Sequence, residues 1–587
     1  MSNFIWSLKE LHRFRRSYIP VMIIDAAVKG ILPVVSLVVI QRMIDLVQYR
    51  SGSLRDVITL LVFLMLFQLA CVICTNVSRL KLDNYGLEFD AHFQAKILKK
   101  VAVLDSKDIE NSRTYDLINR TQYDANAGIM GSLKTLFSMI SLLISTVSYM
   151  VIIIRFSLLL FAVVLVPPVV RYFFEKKYNL LEYETEKENT EPNRRAAYIS
   201  YLLTEAGNFK EIKMFSLFDY FIHRFESIRA CCNLKQIRLH GRRAVVYSIV
   251  SVFETVVDCL VTLVILIRAF EGVVSIGSFV LYSNSIDSIK ENLVSIFSQL
   301  SVLYKNSAMI EQVRAFFEIP TEEIREDGVE IGRIRSIRLD RVSYKYRGSG
   351  TYSVKDVSFE LKNGEFAVFM GRNGSGKSTL MKIIMGIYHD YEGDIYINGI
   401  DLRFLNIEQY RKKIGVLFQD YIKYESSISE NICCGDPELR EKEAEIGEIL
   451  ESVCLSEMRD KKDQALGYQF NDGIQMSVGQ WQKLALGRAL AREADVYIFD
   501  EPNASMDLVS ENAVLDTIRR ETEGRIALLI MHRFNRMVEQ ADVIFVLDKG
   551  RIAERGPHRK LLKEKGIYHE LYSIHKEIGL TPENGDL

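Results

Sequence analysis

Residues 371–379 have the types and spacing of a phosphate-binding loop. Their sequence, GRNGSGKST, matches G-x-x-x-x-G-K-[S/T] at every fixed position. Glycines let successive backbone N–H groups approach phosphate oxygens, and a following helix adds its positive N-terminus. Lys377 can then reach the β- and γ-phosphates, and Ser378 can ligate Mg²⁺. The loop predicts binding of a nucleoside triphosphate by Gly371, Asn373, Gly374, Ser375, Gly376, Lys377, Ser378 and Thr379.

Two carboxylates at the end of an apolar run could supply the chemistry of hydrolysis. Residues 496–499 are strand-like, and Asp500 and Glu501 follow them directly. Asp500 is placed to hold Mg²⁺ through water, beside Ser378. Glu501 is then the natural general base for the water that attacks the γ-phosphate. The alternative is an exposed acidic pair at a strand end, and the phosphate loop upstream argues against it.

Three further features are weak individually and informative in combination. Gln419 follows the strand-like run 415–418, His532 follows the run 526–531, and the sequence MSVGQ at 476–480 precedes a predicted helix. A lone Gln or His is more often structural or merely exposed than functional. The order and spacing of the three, relative to the phosphate loop, therefore carry the signal.

These motifs require an α/β domain to position them. From residue 331 the sequence alternates β-rich runs with helices, which predicts a P-loop ATPase domain over 331–579 and a tail over 580–587. A short, charged, turn-rich linker at 321–330 separates it from an N-terminal domain, 1–320. The net charge of −1 supplies no basic field for nucleic acid, so we expect no nucleic-acid partner.

The N-terminal domain is predicted to be an all-α membrane domain. Six apolar segments recur, and most reach the roughly 20 residues that cross a bilayer as a helix. The sixth is the weakest, because Asp287, Lys290 and Glu291 interrupt it. Buried helices of a large soluble core are the alternative, but residues 57–74 carry no charge. The predicted spans are about 18–40, 57–79, 133–154, 156–174, 244–267 and 277–303.

The distribution of basic residues predicts the orientation of these spans. Lys and Arg residues precede the first span and recur in the long loop after the second, which places the N-terminus and both long loops in the cytoplasm. Both loops are predicted to be helical. Each contains a break with an aromatic cluster, at 108–116 and 213–220, that could dock on another domain. Residues 1–17 suggest an amphipathic helix on the inner membrane surface, with a solvated leader as the alternative.

The whole pattern resembles the ATP-binding cassette (ABC) exporters, in the form of a half-transporter with six spans fused to one nucleotide-binding domain. The resemblance implies ATP and Mg²⁺ as ligands, with Gln419 sensing the γ-phosphate and Mg²⁺. It implies that Ser477, Gly479 and Gln480 contact the γ-phosphate of an ATP held by the opposite subunit. It also implies that Asp507 belongs to the D-loop, His532 is the switch histidine, Tyr346 stacks on adenine, and 108–116 and 215–220 are coupling helices.

The signature departs from the family's usual LSGGQ at two positions. Met476 replaces Leu, which is a mild change, and Val478 replaces the first Gly. A β-branched residue cannot adopt positive φ cheaply, so hydrolysis would slow if that backbone conformation were needed. We expect a homodimer. A heterodimer stays open, because an altered signature beside an intact Glu501 is what one half of an asymmetric pair could carry.

The resemblance implies ATP-driven export by alternating access, across the cytoplasmic membrane of a bacterium. Residues 471–474 and 480–483 look most like bacteriocin and modified-peptide exporters, so a peptide is the expected cargo. A lipid or hydrophobic-drug exporter, and a membrane ATPase that regulates or senses, are the alternatives. Four intramembrane charges are candidates for the cargo cavity, with internal helix–helix pairing as their alternative role: Asp25, Lys29, Glu254 and Asp258.

Overall fold

The computed structural model describes residues 2–322, 328–468, 472–503 and 508–577, and of 112, 113, 116, 123–127, 508, 509 and 577 it describes only the backbone. The chain divides into two compact units. The first comprises Met1–Leu104 and Asn111–Pro320, and the second comprises Asp105–Glu110 and Thr321–Leu587. The six residues 105–110 thus belong structurally to the C-terminal unit, although they lie in the middle of the helical sequence.

Long helices build the first unit. Helix α5 packs chiefly against α9, α6 against α8, and α2 against α3. The helices are α1 (Ser2–Phe14), α2 (Tyr18–Tyr49), α3 (Leu54–Ala102), α5 (Ser112–Phe156), α6 (Leu158–Thr204), α7 (Phe209–Met214), α8 (Phe218–Phe270) and α9 (Ile276–Phe317), with α4 (Ser106–Ile109) in the second unit.

Within the described residues, five helices are long and apolar enough to cross a bilayer. They are α2, α3, the 128–156 part of α5, α6 and α8. Helix α9 contains the sixth predicted segment, which the charges at 287, 290 and 291 interrupt, and it is not among these five helices. Several helices far exceed a bilayer: the 49 residues of α3 extend over about 75 Å. The lengths therefore accommodate both a span and a polar extension.

The short helices α4 and α7 begin before the segments that are predicted as coupling helices. The first is α4, which begins because the Asp105 side chain caps it by accepting a hydrogen bond from the Lys107 N–H at 3.1 Å. The predicted segment 108–116 instead crosses into α5. The second is α7, which ends before Ser216, whose φ of 53° breaks the helix ahead of α8. The predicted segment 215–220 contains that break.

Helix α1 lies against protein rather than only against a membrane surface. Leu11 is fully buried, Trp6 contacts Phe93 edge-on at 6.5 Å between ring centroids, and Phe14 contacts Phe89 edge-on at 5.5 Å. Both partner rings belong to α3. The expectation of a membrane-surface helix is thus wrong for this face, because its apolar side chains are covered by α3.

The second unit contains two sheets. A four-stranded antiparallel sheet has the order β2-β1-β4-β5, and a six-stranded sheet has the order β10-β9-β3-β8-β7-β6, parallel except for β10. The strands are β1 (Ser336–Tyr344), β2 (Val354–Lys362), β3 (Phe366–Met370), β4 (Glu392–Ile397), β5 (Ile400–Asp401), β6 (Ile414–Leu417), β7 (Val496–Asp500), β8 (Ile526–Ile530), β9 (Val543–Asp548) and β10 (Arg551–Gly556).

Helices cover the six-stranded sheet. Strands β3 and β8 are apolar and fully buried along their length, as expected for parallel strands covered on both faces. The helices are α10 (Lys377–Ile384), α11 (Ile407–Lys412), α12 (Ile428–Cys433), α13 (Glu443–Ser452), α14 (Val478–Leu490), α15 (Leu508–Glu521), α16 (Arg536–Glu539), α17 (His558–Glu564) and α18 (Ile567–Glu577). The predicted fold class, a helical domain followed by an α/β domain, is confirmed. The carboxyl ends of β3, β6, β7 and β8 meet at one edge, where ligands bind in open α/β sheets.

Candidate active site

The phosphate loop connects β3 to α10, as predicted. Gly371, Gly374 and Gly376 all have positive φ, at 142°, 75° and 100°. A Cβ at Gly376 would lie 2.2 Å from the backbone oxygen of Ser353, so no other residue fits this position. The loop therefore has the conformation in which glycines let backbone N–H groups approach an anion closely.

Lys377 is buried at the start of α10. Its Nζ donates to the backbone oxygens of Gly371 at 2.8 Å and Arg372 at 3.2 Å, and lies 3.4 Å from Ser375 Oγ. Burial lowers the pKa of its ammonium group. These partners are all neutral, so a phosphate would supply the negative charge that the buried ammonium lacks.

Asp500 ends β7 beside Ser378. Its Oδ1 is buried and has no hydrogen-bond partner among the described residues. Burial raises the pKa of the Asp500 carboxyl, and a hydrogen bond with Ser378 opposes that rise. A buried carboxylate oxygen without a partner, next to a hydroxyl, is a suitable donor set for Mg²⁺ and its bound water. The residues present thus fit the metal that the sequence implies.

Glu501 and His532 face each other at the same edge of the sheet. Glu501 Oε1 lies 2.8 Å from His532 Nε2. Burial raises the pKa of Glu501 and lowers the pKa of His532, so each group is shifted toward its neutral form. Glu501 also has a φ of 50°, an unusual conformation for a residue with a side chain. A carboxyl group with raised pKa, held by an imidazole, is suited to accept a proton from water.

A cavity of about 620 Å³ brings most of the predicted residues together. Gln419 lines it from the end of β6, opposite the phosphate loop. A second cavity of about 260 Å³ joins Ser378, Gln419 and Asp500. The larger one is lined by Asn373, Gly374, Ser375, Gly376, Lys377, Ser378, Thr379, Gln419, Glu501, Asn503, His532 and Arg533.

Three residues at this site escape prediction from the sequence. Asn503 and Arg533 line the larger cavity, each within two residues of a predicted one. Gln482, buried on α14, donates from Nε2 to the Glu501 backbone oxygen at 3.1 Å. Sequence proximity could have found the first two. Gln482 is separated from Glu501 by 19 positions, and only the packing of α14 against β7 reveals it.

Tyr346 lies next to the phosphate loop but not on the wall of the larger cavity. Its hydroxyl is 3.1 Å from Thr379 Oγ1, and its ring is half-buried. The structure thus connects it to the nucleotide motifs at the first turn of α10. Asp507 lies outside the described residues.

Comparison with known proteins identifies the family. The ABC transporter transmembrane region matches residues 19–287, and the ABC transporter domain matches residues 354–504. The chain belongs to the ABC transporter family. The two matches cover most of the helical unit and then the phosphate loop with the Asp500–Glu501 pair, in the order that the sequence predicts, so this transporter couples an ATPase to transport.

Bacterial relatives align with the transporter over most of its length. The subtilin transport ATP-binding protein SpaT of Bacillus subtilis is 28% identical over 99% of this chain and 95% of its own. The nisin transport ATP-binding protein NisT of Lactococcus lactis is 26% identical over 96% and 95%. An ATP-dependent lipid A-core flippase of Blochmanniella pennsylvanica is 29% identical over 60% of each chain.

A solved structure has the same fold. An Atm1-family bacterial ABC exporter with ATP bound matches with a TM-score of 0.77, over 98% of this chain and 99% of the other, at 18% identity. This similarity supports the exporter architecture. The match to the ABC transporter transmembrane region, together with the apolar helices, makes the chain a multi-pass membrane protein.

The signature of the transporter forms a regular helix start. Ser477 caps α14: its Oγ accepts from the Gln480 N–H at 3.2 Å, while Gln480 Oε1 accepts from the Ser477 N–H at 2.9 Å. Val478 is the first residue of α14 and does not have positive φ. The backbone strain expected at Val478 is therefore absent, because the helix start needs only ordinary helical dihedral angles.

The four intramembrane charges are all paired. Lys29 Nζ lies 2.6 Å from Asp25 Oδ2, and both residues line a cavity of about 520 Å³ in the first unit. Glu254 is buried and pairs with Arg171 at 3.1 Å, whereas Asp258 pairs with Lys290. Glu254 and Asp258 thus connect helices. Pairing between helices is the alternative role that the sequence left open for them.

Proposed function

We propose that this transporter exports a peptide across the bacterial cytoplasmic membrane as a dimer of half-transporters. The observation that carries the cargo assignment is the similarity to SpaT and NisT over nearly the full chain. The flippase resembles it over 60% of its length. The peptide assignment therefore follows the relatives that align over nearly the full chain.

We propose that hydrolysis uses the residues around the larger cavity. Backbone N–H groups of the loop and Lys377 bind the β- and γ-phosphates. Ser378, Gln419 and, through water, Asp500 would hold Mg²⁺, which would supply positive charge to the phosphate oxygens. Glu501 accepts a proton from the attacking water, and His532 orients the Glu501 carboxyl group through their 2.8 Å contact.

Two chains are needed for each complete site. The exposed N-terminus of α14, with Ser477, Gly479 and Gln480, would contact the γ-phosphate of an ATP bound to the partner subunit's loop. Asp507 of the D-loop would lie at the same dimer contact. A homodimer then contains two equivalent sites and twelve spans.

Closure of the two nucleotide-binding domains would drive alternating access. ATP contributes its γ-phosphate contacts to the signature only in the closed state, which is the difference in affinity that shifts the equilibrium. Helices α4 and α7 would transmit that closure to the membrane spans, with the nucleotide-binding domain in the cytoplasm. Hydrolysis then restores the open state.

The cargo site in the membrane domain is proposed around Asp25 and Lys29. The cavity there also contains Arg79, Asp83 and Lys134, so it offers charges of both signs. Asp25 Oδ1 is buried and without a hydrogen-bond partner among the described residues. A peptide carrying both ammonium and carboxylate groups complements such a surface.

Cargo-stimulated ATP hydrolysis tests the proposal. The purified transporter would be reconstituted in vesicles, and hydrolysis measured with peptides that carry both ammonium and carboxylate groups, with no peptide, and with varied lipids. We expect stimulation by peptide that is lost in Asp25→Asn. Stimulation by a lipid instead of a peptide would favour a flippase, and the same basal rate under all conditions would favour a regulatory ATPase.

A further inference from the structure

Three tyrosines form a compact cluster beside α10. We call Tyr344, Tyr346 and Tyr388 the tyrosine cluster. Tyr344 stacks on Tyr388 with ring centroids 5.0 Å apart and planes 7° from parallel. Tyr346 meets both rings edge-on, at 5.4 Å and 5.7 Å. Because aromatic contacts of this kind fix relative ring orientation, a displacement of one ring affects the other two.

One side of the cluster reaches the nucleotide site. The hydroxyl of Tyr346 lies 3.1 Å from Thr379 Oγ1, and Thr379 lines the larger cavity. Tyr388 follows the end of α10, the helix that begins at the phosphate loop. The cluster is therefore joined to the loop both by a hydrogen bond and through the helix.

The other side of the cluster reaches α4. The Tyr388 hydroxyl donates to Glu110 Oε1 at 2.9 Å, and Lys382 Nζ lies 3.9 Å from the same carboxylate. Tyr388 is only 1% exposed. Burial raises the pKa of Tyr388 well above its usual range, so its hydroxyl remains protonated and able to donate at physiological pH.

We propose that Tyr388 and Glu110 are positioning residues that connect the base-stacking Tyr346 to α4. Through them, α4 responds to the base of the nucleotide as well as to its phosphates. The inference rests on the stacking of Tyr346 on adenine, which the resemblance to ABC exporters implies. Coupling between two sites is reciprocal in binding free energy. If the bound base changes the free energy of the α4 contact, then loss of that contact must change the affinity for the base.

Nucleotide kinetics of the full-length transporter in lipid nanodiscs test the connection without any cargo. KM and kcat for ATP are compared with the inhibition constant of tripolyphosphate, which has phosphates but no base. Tyr388→Phe keeps the ring and removes the hydrogen bond to Glu110. We expect the KM for ATP to rise about 3- to 10-fold, as for loss of one hydrogen bond, with kcat within about twofold and tripolyphosphate inhibition unchanged.

Substitutions of Glu110 provide a rescue. Glu110→Ala removes the acceptor, so its KM for ATP should rise as in Tyr388→Phe. Glu110→Gln keeps a side-chain oxygen that accepts from Tyr388, so its KM should return to within about twofold of the wild type. A merely structural role of Glu110 would not predict this recovery.

Two control variants separate the connection from general effects. The Tyr391 hydroxyl is buried without a partner among the described residues, so Tyr391→Phe removes a phenol oxygen but none of the described hydrogen bonds. Lys107 Nζ pairs with Asp390 Oδ2 at 2.9 Å, so Lys107→Ala weakens a different contact of α4. Both should leave the KM for ATP unchanged.

Two outcomes would overturn the inference. One is an unchanged KM in Tyr388→Phe and Glu110→Ala, and the other is an equal rise in the ATP and tripolyphosphate constants. Tyr346→Ala distinguishes a failure of the connection to α4 from a failure of the assignment of Tyr346 to the nucleotide base. If Tyr346→Ala leaves the KM for ATP unchanged, Tyr346 does not bind the base. If it raises the KM while Tyr388→Phe does not, only the connection to α4 is wrong.

Discussion

At the scale of single residues, the proposed mechanism makes the side chain of Glu501 the base that hydrolysis of bound ATP requires. Glu501→Gln keeps the shape of the side chain and removes the base, so kcat should fall at least about 100-fold while ATP binding persists. Steady-state phosphate release and binding of labelled ATP measure the two effects. Asp495→Asn, at a buried carboxylate outside the cavity, is the comparison. Hydrolysis by Glu501→Gln at the wild-type rate would exclude Glu501 as the base.

The same residue predicts the pH dependence of hydrolysis. Because burial raises the pKa of Glu501, the carboxylate takes up a proton at a higher pH than an exposed glutamate does. The kcat should therefore fall as the pH decreases through this raised pKa, and should be restored above it. A kcat profile from about pH 5 to 9 measures this. The residual rate of Glu501→Gln should show no such decrease, and an identical decrease would assign the titration to another group.

Val478 departs from the family signature, yet its backbone is that of an ordinary helix start. Its side chain is 53% exposed, so replacing it relieves neither strain nor buried crowding. Val478→Gly should therefore change kcat by less than about threefold, since a surface substitution that relieves neither strain nor crowding has an effect of about 0.5 kcal/mol. A rise of tenfold or more would instead mean that the valine side chain obstructs the γ-phosphate contact across the dimer.

At the scale of elements, α1 fastens the C-terminal end of α3 to α9. Trp6 contacts Phe93 of α3, and Asn3 Nδ2 donates to the Ser307 backbone oxygen of α9 at 3.0 Å. Leu11→Ala should lower the free energy of unfolding by about 2–5 kcal/mol, because it opens a cavity at a fully buried site. The apparent melting temperature in detergent measures this loss.

Ile5 supplies the matched control on the same helix. It is 52% exposed, so Ile5→Ala should shift the melting temperature by much less. Equal shifts for the two variants would mean that α1 is not held through its buried face.

The elements also explain which parts of the site the sequence could predict. The phosphate loop and the Asp500–Glu501 pair are local: each motif follows a buried strand, and the strand order brings their ends together. The positions of α4 and α7 depend on a cap at Asp105 and a positive φ at Ser216, which periodicity does not report. The contact of Gln482 with Glu501 depends on tertiary packing, which no local pattern contains.

The intramembrane charges show the same limit for the helical unit. The spacing of Glu254 and Asp258 predicts that they lie on one face of a helix. It does not predict which neighbouring helix that face contacts. Arg171 on α6 and Lys290 on α9 supply their partners, 83 and 32 positions away. Charges in a membrane segment are costly unless paired, so these two ion pairs satisfy a physical requirement of the helical unit.

At the scale of the whole molecule, an incomplete site in one chain predicts complementation between two inactive chains. A Lys377→Ala chain lacks the phosphate-loop ammonium but keeps its signature. A Ser477→Arg chain keeps the phosphate loop but has a defective signature. In a mixed dimer, one site combines both defects, and the other combines an intact loop with an intact signature. Each variant alone should be inactive, whereas co-expressed chains carrying different affinity tags should regain about half the hydrolysis of the wild-type dimer if the sites act independently.

A chain that carries both substitutions is the matched control. Paired with the wild type, it leaves one defect in each site, so that mixed dimer should be inactive even though one subunit is unaltered. This contrast arises only when the loop and the signature of a site come from different chains. If each chain instead completed its own site, the pair of single variants would stay inactive and the wild-type subunit would hydrolyse ATP beside its doubly substituted partner. Purifying each mixed dimer through both tags in sequence and measuring phosphate release therefore distinguishes shared sites from separate ones.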